Sequence, residues 1–212
     1  MATKQIYQLK ITLQDIEPPI WRRILVPSTY DFWQLHCAIQ DAFGWTDSHL
    51  HQFTYTDSYT DNKANMPIVF GIPYEAEFED DLVALAGWQH KIDRYITNDI
   101  GNILYTYDFG DDWQHTIELE EILPYEKGTK YPRCLDGARA CPPEDCGGSH
   151  GYAGLLETLF DPDDPEHEDT AIWADSMKGG KFEPEEFGPS KVKFTKPGWR
   201  LNRLLEYRKL KN

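Results

Sequence analysis

Alternation at a period of two, repeated in three stretches, constrains this chain more than any other feature. Tyr7, Leu9, Ile11 and Leu13 share one parity while Gln8, Lys10 and Thr12 take the other, so this segment predicts a strand with one buried face. Ile103, Tyr105, Tyr107 and Phe109 repeat the pattern. After Gly110-Asp111-Asp112 it resumes in Trp113, His115, Ile117 and Leu119, which predicts a hairpin over residues 103–123. Strands with one apolar face must bury it against another layer, so a sheet covered by helices or by a second sheet is required.

Other segments supply the cover and the remaining strands. Residues 15–19 carry turn types, and IWRRILV at 20–26 predicts a strand returning beside the first. Pro27-Ser28-Thr29 breaks that strand and offers hydroxyl caps for a helix over 31–43, where Leu35, Ile39 and Ala42 or Phe43 recur at helical spacing. Gly44 is its expected C-cap. Residues 50–56 predict a strand with His51, Phe53 and Tyr55 on one face, 57–67 a polar excursion, and 68–72 and 92–96 short strands. Phe78 to Ala86 has helical spacing, with Asp80 and Asp81 in a first turn. Later come a short helix over Gly151 to Phe160, a helical piece over Asp169 to Trp173 and a single turn at 184–187. No repeat or linker interrupts the chain. The pattern predicts one α+β domain over 1–212, with a mixed or mostly antiparallel sheet, an early helix and several short late helices.

Charge narrows the partners. Twenty-one Lys and Arg against thirty-six Asp and Glu give a formal charge of −15, which disfavours nucleic-acid backbones and anionic membrane surfaces. The one basic run, Lys191 to Lys211, is expected to be a solvated amphipathic end. No apolar run approaches the ~20 residues of a spanning helix, and the first residues lack the apolar segment of a secretory signal. A cytoplasmic protein with no membrane contact is expected. There, cysteines are free thiols or metal ligands rather than disulfides. Cys37, inside the early helix, is expected to be a buried small hydrophobe.

YPRCLDGARACPPEDCGGSHGY, residues 131–152, gathers Cys134, Cys141, Cys146 and His150 between the hairpin and a late helix. Three thiolates and an imidazole satisfy the ligand count of tetrahedral zinc, with His115, Asp164 and His167 as alternative ligands. Six residues separate Cys134 from Cys141 and four separate Cys141 from Cys146, so no C-x-x-C knuckle is present. Cys146 also precedes two glycines and a helix start, where amides stabilise a thiolate, and His115 and His150 are the nominal bases. The favoured alternative is a metal-free loop shaped by Pro142, Pro143, Gly147 and Gly148, with cysteines filling small spaces. No catalytic residue beyond the nominal His115, Cys146 and His150 is assigned. No cofactor is required, and zinc is the one candidate. His49 and His51, in phase with Phe53 and Tyr55, are expected to be core or rim imidazoles. Asp108, Asp111 and Asp112 suit a hard cation, although Asp108 falls on the parity that faces water. Phosphate-loop, dinucleotide and H-E-x-x-H motifs are absent from the sequence.

YDFGDDWQH at 107–115 and the cysteine stretch at 131–152 resemble the plasmid pRiA4b ORF-3-like family. So do Pro18-Pro19-Ile20-Trp21-Arg22-Arg23, Phe32, Leu35, His36, Ala42-Phe43-Gly44-Trp45, His49-Leu50-His51 and Phe53. The likeness continues through Asp161-Pro162, His167, Trp173 and Phe182 to Phe187, essentially the whole chain. It implies a compact α+β domain, sometimes encoded near mobile elements, and no reaction. Where family members often carry His-Pro-Glu-His, this chain has Asp164-Pro165-Glu166-His167, which changes any metal role of that first histidine. An accessory or interaction protein with a protein partner is the leading expectation. A thiol-dependent or hydrolase-like enzyme is second, and a nucleic-acid-associated protein of a mobile element third.

Overall fold

The computed structural model describes residues 5–56, 66–73, 83–97 and 103–211, with backbone alone for 210 and 211. Its centre is one eight-stranded sheet in the order β5-β4-β3-β6-β7-β1-β2-β8. The strands are β1 (Gln5–Leu13), β2 (Trp21–Pro27), β3 (His51–Tyr55), β4 (Ile68–Gly71), β5 (Leu85–Ala86), β6 (Ile103–Tyr107), β7 (Trp113–Pro124) and β8 (Arg133–Ala138). All neighbours run antiparallel except β4 and β5, so the expected α+β class and mostly antiparallel sheet are present.

Periodicity places the core. Leu9, Ile11 and Leu13 on β1, Tyr105 and Tyr107 on β6, and Trp113, His115 and Ile117 on β7 are all buried on one face. Helix α1 (Phe32–Phe43) covers that face, with Phe32 stacked on Phe70 at 4.3 Å between ring centroids. Burying side chains of this size stabilises the fold by roughly 1.5–3 kcal/mol each. The N-cap of α1 is Asp31, not Ser28 or Thr29. Its carboxylate accepts the Gln34 N–H while the Gln34 side chain returns to the Asp31 N–H, a complete capping box. Gly44 ends the helix in the left-handed region at φ +82, as its position predicts.

Several expectations change. Residues 92–96 hold a 3-10 turn, Ile92–Arg94, instead of a strand. The helix expected over 78–86 falls partly outside the described residues, but its end, Leu85–Ala86, is a strand paired with Phe70 and Gly71. The excursion at 57–67 lies mostly outside them as well. Phe109 leaves the buried face at the hairpin turn and is exposed. The first half of the cysteine stretch forms β8, which satisfies the outer backbone edge of β2. A late segment then crosses β8. Ala140 N–H donates to the Pro184 carbonyl at 2.9 Å, and a Cβ on Gly137 would meet the Phe187 ring at 2.5 Å. Helices α2 (Gly148–Phe160), α3 (His167–Lys178) and α4 (Pro197–Lys211) complete the described chain.

Two core histidines make stability depend on pH. His115 is fully buried, and burial pushes its pKa from the ordinary 6.5 down to about 4. His51 is shifted the same way by burial and then by His36, on which it stacks at 3.4 Å. The unfolded chain takes up these protons first as pH falls. The His115 contribution is therefore complete above pH 6.5 and drains away toward pH 4, and that of His51 is lost in the same direction as pH falls. The His115 share is about 3 kcal/mol. Urea titrations from pH 7 to 4.5 should show the decline, and His115→Gln should make the slope shallower.

Candidate functional site

Three loops meet at one corner of the sheet. The first, 45–50, runs from the C-cap of α1 into β3. The second is the β6–β7 hairpin corner, 108–112. The third, 142–147, precedes α2. Each loop turns at an aspartate in the left-handed region: Asp47 at φ +58, Asp108 at φ +55 and Asp145 at φ +56. Aspartate adopts this conformation more readily than most non-glycine residues, and the surroundings then hold each turn in place.

The surroundings do so with hydrogen bonds. Asp108 N–H continues the β3 ladder to Leu50 O at 2.9 Å, its Oδ1 accepts the Gly110 N–H at 2.9 Å, and its carbonyl accepts the Asp112 N–H at 2.7 Å. Glu144 is buried, and its Oε1 accepts the Thr46 N–H at 2.6 Å, the Thr46 hydroxyl at 2.9 Å and the Tyr107 hydroxyl at 3.1 Å. Asp111 Oδ2 accepts the Gly147 N–H at 3.1 Å, which ties the hairpin corner to the third loop.

His49 sits at the meeting point. Its Nδ1 lies 3.5 Å from Asp108 Oδ2, and its Nε2 lies 3.2 Å from Asp145 Oδ1 and 3.8 Å from Glu144 Oε2. Nε2 is shielded from solvent yet has no hydrogen bond. One ligand atom each from His49, Asp108 and Asp145 lies within 4.8 Å of the other two, the one such group of three or more among the described residues. The Asp108 and Glu144 side chains are only 10% and 6% exposed, whereas Asp145 is 61% exposed and opens the group to solvent. Among the described residues no Lys or Arg forms an ion pair with any of the three acids. Hydrogen bonds answer part of the charge on the buried carboxylates, but a nearby cation would answer it more fully. One imidazole nitrogen and two carboxylates form a mixed donor set suited to zinc, manganese or ferrous iron, and three protein ligands leave coordination positions open.

The cysteines, His150 and the alternative zinc ligands named from sequence are not members of this group, although Cys146 lies on the third loop. Cys134 sits on β8, its thiol directed to the Asp136 carbonyl at 3.6 Å. Cys141 is buried, and burial pushes its thiol up to about 12. Cys146 is likewise pushed up to about 12, by burial and then by Asp111. Burial thus opposes the thiolate that amides at the start of α2 would favour. His150 is exposed on the first turn of α2. His115 is sealed in the core, where Nδ1 bonds the Trp113 carbonyl at 3.0 Å. His167 holds the Thr158 carbonyl at 3.1 Å, and Asp164 accepts the Glu166 N–H at 2.7 Å. Cys134, Cys141, Cys146 and His150 do not form a group with ligand atoms within 4.8 Å of one another among the described residues. Sequence spacing counts Asp108 among the hairpin acids that suit a hard cation but sets it on a parity facing water, whereas it is buried; it reads His49 as a core or rim imidazole and passes over Glu144 and Asp145. All four belong to the corner. The one usable sign was their shared context, an acid or imidazole beside a turn at a strand or helix end.

The chain matches the sequence profile of the plasmid pRiA4b ORF-3-like protein over residues 5–191. It is 36% identical over 171 residues to the uncharacterized protein y4hQ of Sinorhizobium fredii (strain NBRC 101917 / NGR234), covering 81% of each chain. It is similar in structure to the protein of unknown function MM3350 from Methanosarcina mazei Go1, with a TM-score of 0.77 and 40% identity over 91% of this chain and 100% of that one. Among the described residues no helix is long and apolar enough to cross a membrane. The chain belongs to the plasmid pRiA4b ORF-3-like family.

Proposed function

We propose that this family member is an interaction module whose binding corner works through a divalent cation held by His49, Asp108 and Asp145. One observation carries the proposal: three carboxylates, two of them buried, converge on a single imidazole, and no Lys or Arg pairs with them among the described residues. A divalent ion offsets that charge and gives Nε2 of His49 a partner. Its open positions would then accept an anionic oxygen of the partner, a carboxylate or a phosphate, at an exposed rim that also carries Leu50 and Phe109.

Titration of the purified chain with Mn²⁺, followed by electron paramagnetic resonance, tests this directly. The expected result is saturable uptake of one ion per chain, weakened at least about tenfold in Asp145→Asn and in His49→Gln. Asp145 is an exposed surface acid, so its variant should fold normally. Absence of saturable uptake, or unchanged uptake in Asp145→Asn, would overturn the proposal. The open coordination also favours a second function, metal-assisted hydrolysis. Turnover of an activated phosphodiester by the Mn²⁺-loaded chain, lost in Asp145→Asn, would establish it over simple binding.

A further inference from the structure

We infer that the C-terminal helix α4 is a strap that positions this corner, acting through Arg200 on the loop that presents His49. The inference rests on the cation-binding proposal for its consequence. Its structural basis is separate. Helix α4 begins at Pro197, beyond the family match at 5–191. Its approach to α1 is fixed by the Trp33 Nε1–H on the Pro197 carbonyl at 3.0 Å and by Thr195, whose N–H and hydroxyl both donate to Asp41 Oδ2 at 2.7 and 3.0 Å. Farther along, Arg208 donates to the Pro73 carbonyl at 2.5 Å.

Arg200 joins the strap to the loop. Its Nη2 donates to Asp41 Oδ1 at 2.5 Å and its Nη1 to Asp47 Oδ2 at 3.4 Å. The other Asp47 oxygen meets His36 Nε2 at 2.8 Å, and the Asp47 N–H donates to Gln40 Oε1 at 3.0 Å. Asp47 is thus held on three sides in its left-handed conformation, two residues before His49. Its neighbours touch the corner itself: Thr46 donates twice to Glu144, and Ser48 N–H donates to the Tyr107 hydroxyl at 3.1 Å.

Side-chain exposures of 16% for Arg200, 6% for Asp41 and 19% for Asp47 keep this charge group partly shielded from solvent. Removing the guanidinium leaves two neighbouring carboxylates without their shared cation, which drives Asp47 toward water and frees the turn before His49. Arg200 is therefore a positioning residue. It touches neither the imidazole nor the acids of the cation group, and it acts by fixing where the loop stands.

The test compares wild type with Arg200→Met, Arg200→Lys and Arg203→Ala, using amide hydrogen exchange over residues 46–50 together with Mn²⁺ titration. Arg203 lies on the exposed side of α4, with its guanidinium over the Trp199 ring, and serves as the helix control. Arg200→Met should speed exchange across 46–50 and weaken Mn²⁺ about tenfold, in the range typical of residues that orient metal ligands. Arg200→Lys should recover part of both, and Arg203→Ala should match wild type in both. Wild-type exchange over 46–50 in Arg200→Met, or equal loss in Arg203→Ala, would overturn the strap. If wild type takes up no Mn²⁺, the cation proposal falls, and the exchange comparison alone decides whether α4 holds the loop.

Discussion

Replacing Gly148 with alanine is expected to cost more than about 3 kcal/mol and to disable the corner at the same time. Two effects combine at this position. Gly148 has φ +69, where an L side chain costs roughly 1–2 kcal/mol. A Cβ there would also lie 2.4 Å from the backbone carbonyl oxygen of Asp111, which cannot rotate away as a side chain could. Relief requires the hairpin corner to separate from the loop before α2, the joint that the Gly147–Asp111 hydrogen bond closes. Asp108 and Asp145 sit on opposite sides of that joint, so their convergence on His49 should be lost with it. Two neighbours calibrate the effect. Gly147 has φ +87 but its nearest contact is an ordinary 3.6 Å, so Gly147→Ala should cost only about 1–2 kcal/mol. Gly154 has open space in mid-helix, and Gly154→Ala should stabilise by about 0.5–1 kcal/mol. Urea midpoints of the three variants, read beside Mn²⁺ uptake, check the ranking. Equal midpoints for Gly147→Ala and Gly148→Ala would contradict it.

Arg22→Ala should destabilise on the order of 4 kcal/mol. Arg22 on β2 is 1% exposed and has no carboxylate partner among its hydrogen bonds. Its guanidinium donates to the carbonyls of Ala42 at 2.9 Å, Trp21 at 2.8 Å and Ala138 at 2.9 Å, and lies 3.7 Å from the Phe187 ring centroid and 4.9 Å from that of Phe43. Desolvation lowers its pKa to about 10, so the charge survives at neutral pH because carbonyl dipoles and ring faces surround it. Truncation removes those hydrogen bonds and opens a cavity between α1, β8 and the late segment. Arg22→Lys should still cost about 2 kcal/mol, since an ammonium cannot lie flat between rings or reach three carbonyls in one plane. Denaturant titration of both variants decides the matter. A lysine variant as stable as wild type would show that the planar fork contributes nothing.

Where side chains divide cleanly between core and water, the sequence was legible. Leu9, Ile11 and Leu13 alternate because one face of β1 lies under α1, and Trp113, His115 and Ile117 alternate for the same reason. β8 escaped notice because it has no such division: Arg133, Leu135 and Asp136 are exposed while Cys134, Gly137 and Ala138 are half-buried under an irregular segment. Its pairing is dictated by the backbone of β2, which periodicity does not record. The corner was hidden for a different reason. His49, Asp108 and Asp145 come from three separate loops, brought together by the β3–β6 pairing, the Asp111–Gly147 contact and the bonds of Glu144 to Thr46 and Tyr107. Cysteines drew attention by being dense in sequence, yet Cys134 lies on β8, Cys141 in the core and Cys146 on the loop before α2, and nothing in their spacing records that separation.

The segment that crosses β8 also bears on self-association. A sheet that ends in a free strand offers its backbone to any passing chain and is a template for fibrous stacking. Here Phe187 lies against Gly137, and Pro184, which has no amide proton to offer, accepts from Ala140. At this end of the sheet, strand addition would first have to peel that cover away. Variants that loosen it, such as Phe187→Ala, are where concentration-dependent turbidity should first develop.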